Sequence, residues 1–300
     1  MDEHILEAHT LQSHEALIPQ TNWFDRSETL QKLRKHKKFP TIWCSGCGIG
    51  VVMGALIRAI DHLGLKNDEV ALVAGIGCTA RMPGYLDFNT LHTTHGRALA
   101  FATGLKIARP DLKVIAIMGD GDALAIGGNH FIHAARRNLG ITALVVNNAI
   151  YGMTGGQYSP TTPLGGRATT APYGNVEPPF PICELAIAAG ASYVARSTVY
   201  HALELDKFLS EAIAKDGFSV IEAVSYCHTT YGRINKLGTA ADMMRGLKEN
   251  SISRTAFDAL PPEGKAANAK IIRGKFVDIE RPQYTRAYDN LITSVQGGGK

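Results

Sequence analysis

The chain has 300 residues, of which 19% are charged and 45% are hydrophobic, and its formal net charge is +4. This composition allows a sizeable core, and one large α/β structure can absorb the length. The charge is modest and the basic residues are scattered, so we expect no nucleic-acid partner. No apolar run is as long as a membrane span, and the acidic start MDEHILEAHT does not resemble a signal peptide. We therefore expect a cytoplasmic protein with no membrane partner.

Residues 1–40 are interpreted as an arm that precedes the main domain. The first 22 residues show little periodicity, so we expect them to be ordered only where the body of the protein or a partner holds them. Residues 23–38 predict a short polar helix that ends in a basic run, residues 32–38. Such a run is typical of a solvated surface segment or of a docking site for an acidic partner, such as an acidic electron carrier.

Four of the five cysteines lie where we expect loops at one edge of a sheet. The four are Cys44, Cys47, Cys78 and Cys227. The first two form a CxxC pair directly before a predicted apolar helix, residues 51–65. The third follows a predicted strand, Val70–Ala74, and the fourth ends the strand-like run 218–227, whereas Cys183 begins a predicted apolar helix. Four thiolates can bind zinc or an iron-sulfur cluster, although a CxxC pair alone is also typical of a thioredoxin-like redox site.

Histidine and arginine side chains precede the next predicted helix, Ala98–Ala108. His92, His95 and Arg97 lie within this short segment. A lone histidine is most often a surface or core residue, but the glycine beside His95 and its position near a strand end favour a ligand-binding role. We therefore predict that His95 donates a hydrogen bond to a diphosphate or to a substrate oxygen.

Two apolar runs, residues 114–118 and 141–146, end in polar residues that suit a metal site. Asp120 lies in the sequence GDG after the first run, and Asn148 lies after the second. Because the carboxyl ends of parallel strands meet at one edge of a sheet, we expect these two side chains side by side. Carboxylate and amide oxygens are ligands that Mg²⁺ prefers, and phosphate oxygens can occupy its remaining positions.

The rest of the chain alternates helices and strands. A segment rich in Pro, Gly and Thr, residues 159–180, comes after a predicted helix at 126–138, and we expect so long a segment to be functional or covered by a partner. The alternation continues with helix 181–190, strand 192–199, helix 201–215 and strand 219–227. This order predicts an α/β fold, a parallel sheet flanked by helices, over residues 41–235. Residues 236–300, with a helix at 240–250, are interpreted as a C-terminal extension that contacts a partner subunit.

Several motifs together resemble the beta subunit of the 2-oxoacid:ferredoxin oxidoreductases over about residues 40–245. They are CSGCG, GIGCTAR, LHTTHGRALAFATG, GDGDALAIGGNH, NNAIYGMTGGQYSPTT and the late cysteine. The resemblance implies a thiamine diphosphate-binding fold with Mg²⁺ and a [4Fe-4S] cluster in residues 41–235. It also implies oxidative decarboxylation of a 2-oxoacid with coenzyme A, with electrons passing through the cluster to ferredoxin. For 2-oxoglutarate the products would be succinyl-CoA and CO₂, in a reversible reaction.

The resemblance also implies a role for individual residues. The cluster would be bound by Cys44, Cys47, Cys78 and Cys227. Mg²⁺ would be bound by Asp120, Asn148 and the carbonyl of Ile150. The thiamine diphosphate would be lined by Ile76, Gly77, Cys78, Thr79, His95, Gly121, Asp122, Gly152 and Met153. His95 and Arg81 would be the catalytic residues, and the planar fork of Arg81 would bind the substrate carboxylate.

The substrate and the partner follow from the same resemblance. Met153 stands where pyruvate-specific relatives carry Asn, so we favour 2-oxoglutarate, together with Met153 and Arg81 as substrate-contacting residues. An alpha subunit, in an alpha2beta2 assembly, would provide the glutamate that activates the aminopyrimidine, so this chain should be inert alone. Alternatives are a pyruvate or broad-specificity enzyme, a thiamine-dependent decarboxylase without redox chemistry, and a zinc-stabilised non-catalytic partner subunit. Activity of the assembled complex on both acids would separate the first alternative, and iron, zinc and thiamine contents would separate the other two.

Overall fold

The computed structural model of the protein describes residues 32–34 and 40–297. Most of the predicted arm lies outside the described residues, which include only 32–34 and 40 of it. Most of the predicted helix at 23–38 lies outside them as well. Residues 32–34 of the basic run are described, and the two basic side chains among them bind the body of the protein. Lys32 Nζ donates a hydrogen bond to the Leu65 carbonyl at 2.9 Å, and Arg34 Nε donates to the Leu86 carbonyl at 2.8 Å. These two side chains therefore hold the start of the described chain against the main domain.

One large sheet forms the centre of the described structure. Its strands are β1 (Val70–Ala74), β2 (Asn89–His92), β3 (Lys113–Gly119), β4 (Ile141–Asn147), β7 (Tyr193–Thr198), β8 (Ser219–Val224), β9 (Ser251–Ser253) and β10 (Ile271–Asp278). The order across the sheet is β2-β1-β3-β4-β8-β7-β10-β9. Neighbouring strands are parallel except at the pairing of β10 with β7, which is antiparallel. A separate hairpin pairs β5 (Ile150–Tyr151) with β6 (Gln157–Tyr158).

Helices cover both faces of this sheet. They are α1 (Ile49–His62), α2 (Ala98–Ala108), α3 (Asp120–Leu124), α4 (Gly128–Arg136), α5 (Ile182–Ala189), α6 (Ala202–Ala214), α7 (Ala240–Glu249), α8 (Arg254–Asp258), α9 (Pro262–Ala266) and α10 (Tyr284–Gly297). Two apolar clusters fill the layers. One contains α1 and α6, and the other contains α2, α4 and α5, with alternate residues of the central strands in each cluster. Burial on both faces explains why the central strands read as continuous apolar runs.

The C-terminal part of the chain extends the same sheet. β9 and β10 come from the predicted extension, residues 236–300, and β10 pairs with β7. The predicted helix at 240–250 is present as α7, whose first turn Thr239 caps by accepting a hydrogen bond from the Asp242 amide. The contact of this extension with a partner subunit stays a prediction. Within the described part of the chain, no helix is long and apolar enough to cross a membrane.

Candidate active site at the carboxyl edge of the sheet

A cavity of about 300 Å³ lies where β1, β3 and β4 end, and we call it the cofactor cavity. It is lined by Ile76, Gly77, Cys78, Thr79, His95, Gly119, Asp120, Gly121, Asp122, Asn148, Ile150, Tyr151, Gly152, Met153 and Thr154. This lining contains each residue that the sequence predicted for the cofactor, and also the three residues predicted to bind Mg²⁺. Parallel strands bring these distant segments to one edge.

Asp120 begins α3 and is almost fully buried. Its Oδ2 atom accepts hydrogen bonds from the hydroxyls of Ser159 and Thr161, each at 2.5 Å. Burial raises the pKa of Asp120, and these two hydroxyls oppose that rise. A buried carboxylate needs a compensating positive charge, so its environment suits a bound cation.

The Asn148 amide lies beside the other oxygen of this carboxylate. One terminal atom of the amide is 3.3 Å from Asp120 Oδ1 and 2.8 Å from the Ile150 carbonyl oxygen. If that atom is the nitrogen, it donates to both oxygens; if it is the oxygen, three oxygens face one another. Octahedral Mg²⁺ binds oxygens at about 2.0–2.1 Å, which places adjacent ligand oxygens about 2.9 Å apart. The spacing of the predicted ligands therefore fits Mg²⁺.

Asp122, two residues further along α3, has different partners. Its Oδ1 atom accepts a hydrogen bond from the Gly96 amide at 2.6 Å and lies 3.1 Å from His95 Nδ1. Its Oδ2 atom is buried without a hydrogen-bond partner among the described residues, and burial raises the pKa of this carboxyl. Asp122 therefore orients the His95 ring at the wall of the cofactor cavity.

Tyr151 lies against the same histidine and was not among the predicted site residues. The two rings meet edge to face with centroids 5.9 Å apart. Burial, followed by the charges of Asp120 and Asp122, raises the pKa of Tyr151 to about 12. Its hydroxyl is therefore protonated at neutral pH and can donate a hydrogen bond into the cofactor cavity.

A second cavity, of about 290 Å³, contains all four predicted cluster cysteines, and we call it the cysteine cavity. Its lining consists of Ile42, Trp43, Cys44, Cys47, Ile49, Cys78, Asn148, Gly152, Met153, Tyr226, Cys227, His228 and Thr229. Cys78, Asn148, Gly152 and Met153 line both cavities. A Cβ atom on Gly152 would lie 3.3 Å from Cys227 Sγ and 3.9 Å from Cys78 Sγ. Glycine at this position therefore leaves the space between these two sulfurs open.

The four cysteines line one cavity of about 290 Å³. Within the described residues, no three His, Cys, Asp or Glu side chains are placed to hold a single metal ion. Burial, opposed by a hydrogen bond from the Ile49 amide and reinforced by the other three cysteines, raises the pKa of Cys47 to about 11. Four thiolates here need a large, positively charged partner, and an iron-sulfur cluster fits that requirement.

The fifth cysteine lies elsewhere. Cys183 is buried in α5, and its thiol donates a hydrogen bond to Glu222 Oε2 at 3.3 Å. The same carboxylate accepts a hydrogen bond from Arg196 Nε at 2.7 Å. Cys183 is therefore part of a buried polar network. It does not line the cysteine cavity, which agrees with its position in the sequence at the start of a helix.

Comparison with known proteins shows which family the chain belongs to. A family model described as the thiamine pyrophosphate enzyme, C-terminal TPP binding domain, matches residues 74–223. The 2-oxoglutarate synthase subunit KorB of Methanocaldococcus jannaschii is 51% identical over 265 residues, which is 88% of this chain and 97% of the relative. The chain belongs to this KorB family. The KorB subunit of Archaeoglobus fulgidus is 52% identical over 255 residues, which is 84% of this chain and 93% of that relative.

A solved structure agrees with the KorB assignment. It is 2-oxoglutarate:ferredoxin oxidoreductase from Magnetococcus marinus with 2-oxoglutarate, coenzyme A and succinyl-CoA bound. The similarity has a TM-score of 0.80 and 30% identity, and it covers 92% of each chain. The predicted resemblance and the predicted thiamine diphosphate-binding fold are therefore confirmed, and the matched domain supports thiamine diphosphate as a cofactor of this KorB-family chain.

Arg81 is a predicted site residue that does not line either cavity. It lies three residues after Cys78 in a 3₁₀ segment, Thr79–Tyr85, of this KorB-family chain, and its side chain is exposed. Its contact with substrate stays a prediction. Sequence reasoning missed Ser159 and Thr161, although hydroxyls in the run QYSPTT were a usable signal. The sequence alone could not show that the hydroxyls of this run contact Asp120.

Proposed function

We propose that this chain is the subunit of a 2-oxoglutarate:ferredoxin oxidoreductase that binds thiamine diphosphate through Mg²⁺ and also holds a [4Fe-4S] cluster. The observation that carries the proposal is the shared wall between the cofactor cavity and the cysteine cavity. A common wall gives an electron a short path from the site of decarboxylation to the cluster. An enzyme without redox chemistry would not need the two cavities to be neighbours.

In the cofactor cavity, this chain would bind the diphosphate end of the cofactor. Asp120 Oδ1, the Asn148 amide oxygen and the Ile150 carbonyl would give Mg²⁺ three oxygen ligands, which leaves positions for phosphate oxygens. Bound thiamine diphosphate supplies a nucleophilic carbon and an electron sink for decarboxylation of a 2-oxoacid. His95, oriented by Asp122, would donate a hydrogen bond to a diphosphate or substrate oxygen.

In the cysteine cavity, Cys44, Cys47, Cys78 and Cys227 would bind the cluster. Cys78 would serve both cavities, since it lies at the end of β1 in their common wall. Electrons would leave one at a time to ferredoxin. Cys44 is exposed in this chain, so the outer side of the cluster would be accessible to that carrier.

We infer that the substrate is 2-oxoglutarate, which is supported by the names of the KorB relatives and by the substrate bound in the Magnetococcus enzyme. Met153, in the common wall, would shape the space beside the reacting carbon. Arg81 would bind a carboxylate of the substrate, although it does not line the cofactor cavity itself. Its guanidinium is exposed and has no ion pair within the described part of the chain. Coenzyme A would accept the acyl group.

The partner would be an alpha subunit in an alpha2beta2 assembly. No glutamate is among the residues that line the cofactor cavity. The carboxylate that activates the aminopyrimidine would come from that subunit, so the isolated chain should have no turnover. Activity of the purified chain without its partner would refute this assignment.

Anaerobic purification of the assembled complex tests the proposal. We expect iron and acid-labile sulfide in the ratio of a [4Fe-4S] cluster, bound thiamine diphosphate, and reduction of ferredoxin that depends on 2-oxoglutarate and coenzyme A. We also expect Arg81→Ala to raise the KM for 2-oxoglutarate more than the KM for pyruvate. Zinc without iron would support a non-catalytic partner subunit, and equal turnover of both acids would support a broad-specificity enzyme.

A further inference from the structure

A threonine hydroxyl lies between two of the cysteines at the exposed side of the cysteine cavity. Thr229 Oγ1 is 3.5 Å from Cys44 Sγ and 3.7 Å from Cys227 Sγ. These are the first and the last of the four cavity cysteines in the sequence, and the threonine itself lines the cavity. A single hydroxyl thus contacts two sulfurs that are 183 residues apart in the chain, the difference between positions 227 and 44.

The backbone holds this hydroxyl in place. Thr229 belongs to a π-helical segment, His228–Gly232, that begins directly after Cys227. The Gly232 amide closes the segment by donating a hydrogen bond to the Cys227 carbonyl at 2.8 Å. Isolated π-helical turns are rare and occur frequently at functional sites. This turn directs the threonine side chain back to the cysteine that precedes it.

The direction of the hydrogen bond follows from the state of the sulfurs. A free cysteine thiol and a threonine hydroxyl can each donate to the other. A metal-bound thiolate has no proton, so Thr229 must then be the donor. When a cluster accepts one electron, the negative charge on its sulfurs increases and a donated hydrogen bond becomes stronger. Hydrogen bonds to the sulfurs are among the factors that set the potential of an iron-sulfur cluster.

We propose that Thr229 raises the reduction potential of the cluster by donating a hydrogen bond to the thiolate of Cys44 or Cys227. The proposal rests on the cluster assigned above. In the step concerned, the cluster gains one electron, the threonine keeps its proton, and no covalent bond is made or broken. Thr229 would therefore act on the cluster through its ligands, and it is not among the residues that line the cofactor cavity.

Three variants of the assembled complex test this role. Thr229→Val removes the hydroxyl and keeps the shape of the side chain, and Thr229→Ser keeps the hydroxyl. Thr230→Val is the matched control, because it makes the same change in the next residue of the π-helical segment, outside the lining of the cavity. The readout is the midpoint potential of the cluster from an anaerobic redox titration followed by EPR, together with iron and sulfide contents.

We expect Thr229→Val to lower the ratio of reduced to oxidised cluster about tenfold at a fixed potential, which is a shift of about 59 mV for a one-electron couple. Thr229→Ser and Thr230→Val should stay close to the unmodified complex. Equal midpoint potentials in all four proteins would overturn the proposal, and so would loss of iron from Thr229→Val alone, because that would assign the hydroxyl to assembly of the cluster. An unmodified complex without iron and sulfide would instead refute the proposed function.

Discussion

Two carboxylates of α3 illustrate how the surroundings of a residue decide its role. Asp120 receives two hydroxyl hydrogen bonds on one oxygen and presents the other to Asn148, whereas Asp122 is paired with His95 and the Gly96 amide. The first arrangement suits a metal ligand, and the second suits a side chain that orients a histidine. The pattern GDGD places both carboxylates at a strand end. Their difference arises from residues about 25 positions before and about 40 positions after them, which only the fold brings together.

Gly121 lies between these carboxylates, and a side chain at this position would change the shape of the cofactor cavity. A Cβ atom there would overlap the ring of Tyr151, so the ring and its hydroxyl must move within the cavity. We expect Gly121→Ala to raise the Kd of thiamine diphosphate about tenfold, equivalent to about 1.4 kcal/mol, as measured by calorimetry on the cofactor-depleted complex with Mg²⁺. Gly128→Ala is the control, since a Cβ atom on that helical glycine meets no other atom within 4 Å. Unchanged affinity in Gly121→Ala would show that the ring has room to move.

At the scale of elements, burial decides which parts of the fold could be predicted. β1, β3 and β4 are buried on both faces and were predicted as apolar runs. The four residues of β2 are all exposed, and β10 is mostly half-buried, so neither shows an apolar run or a clean alternation. β2 lies at one edge of the sheet, and β10 lies between β7 and β9. Hydrogen bonding to neighbouring strands forms both, and a single sequence does not display that pairing.

The start of α1 depends on the same kind of tertiary contact. Gly48 has ordinary helical backbone angles, but a Cβ atom there would collide with Ser225 Oγ and lie 3.0 Å from the side chain of Val199, which is buried. Glycine is thus required for close packing of the CxxC loop on the ends of β7 and β8. We expect Gly48→Ala to destabilise the chain by about 1–3 kcal/mol in urea unfolding and to lower the iron content of the complex.

Gly50 gives the matched control for this prediction. It lies inside α1, and a Cβ atom there meets nothing within 4 Å. Gly50→Ala should leave the iron content unchanged and stabilise the helix by up to about 1 kcal/mol, because alanine favours a helix more than glycine does. If both variants unfold at the same urea concentration, the packing argument for Gly48 is wrong.

For the whole molecule, the segment between β6 and α5 connects the cofactor cavity to the exposed surface. Ser159 and Thr161 bind Asp120, and the Asn175 side chain donates hydrogen bonds to the Thr162 and Glu177 carbonyls at 2.8 Å. The segment is therefore fixed by its own hydrogen bonds. It nevertheless presents large apolar side chains to solvent: Leu164, Tyr173, Val176 and Phe180. Several large apolar side chains exposed on one fixed segment suit a protein interface, and the proposed alpha subunit must reach the cofactor cavity nearby.

Val176 tests whether this segment contacts the alpha subunit. Its side chain is 86% exposed, so Val176→Lys should leave the fold of the chain intact while placing a charge in an apolar interface. We expect the Kd for the alpha subunit to rise tenfold or more, about 1.4 kcal/mol or above, in sedimentation measurements on the mixed subunits. Ile107→Lys is the control, because Ile107 is an exposed apolar residue in the last turn of α2, where a lysine is compatible with the helix. Assembly that is weakened equally by both variants, or by neither, would place the partner on another surface of the chain.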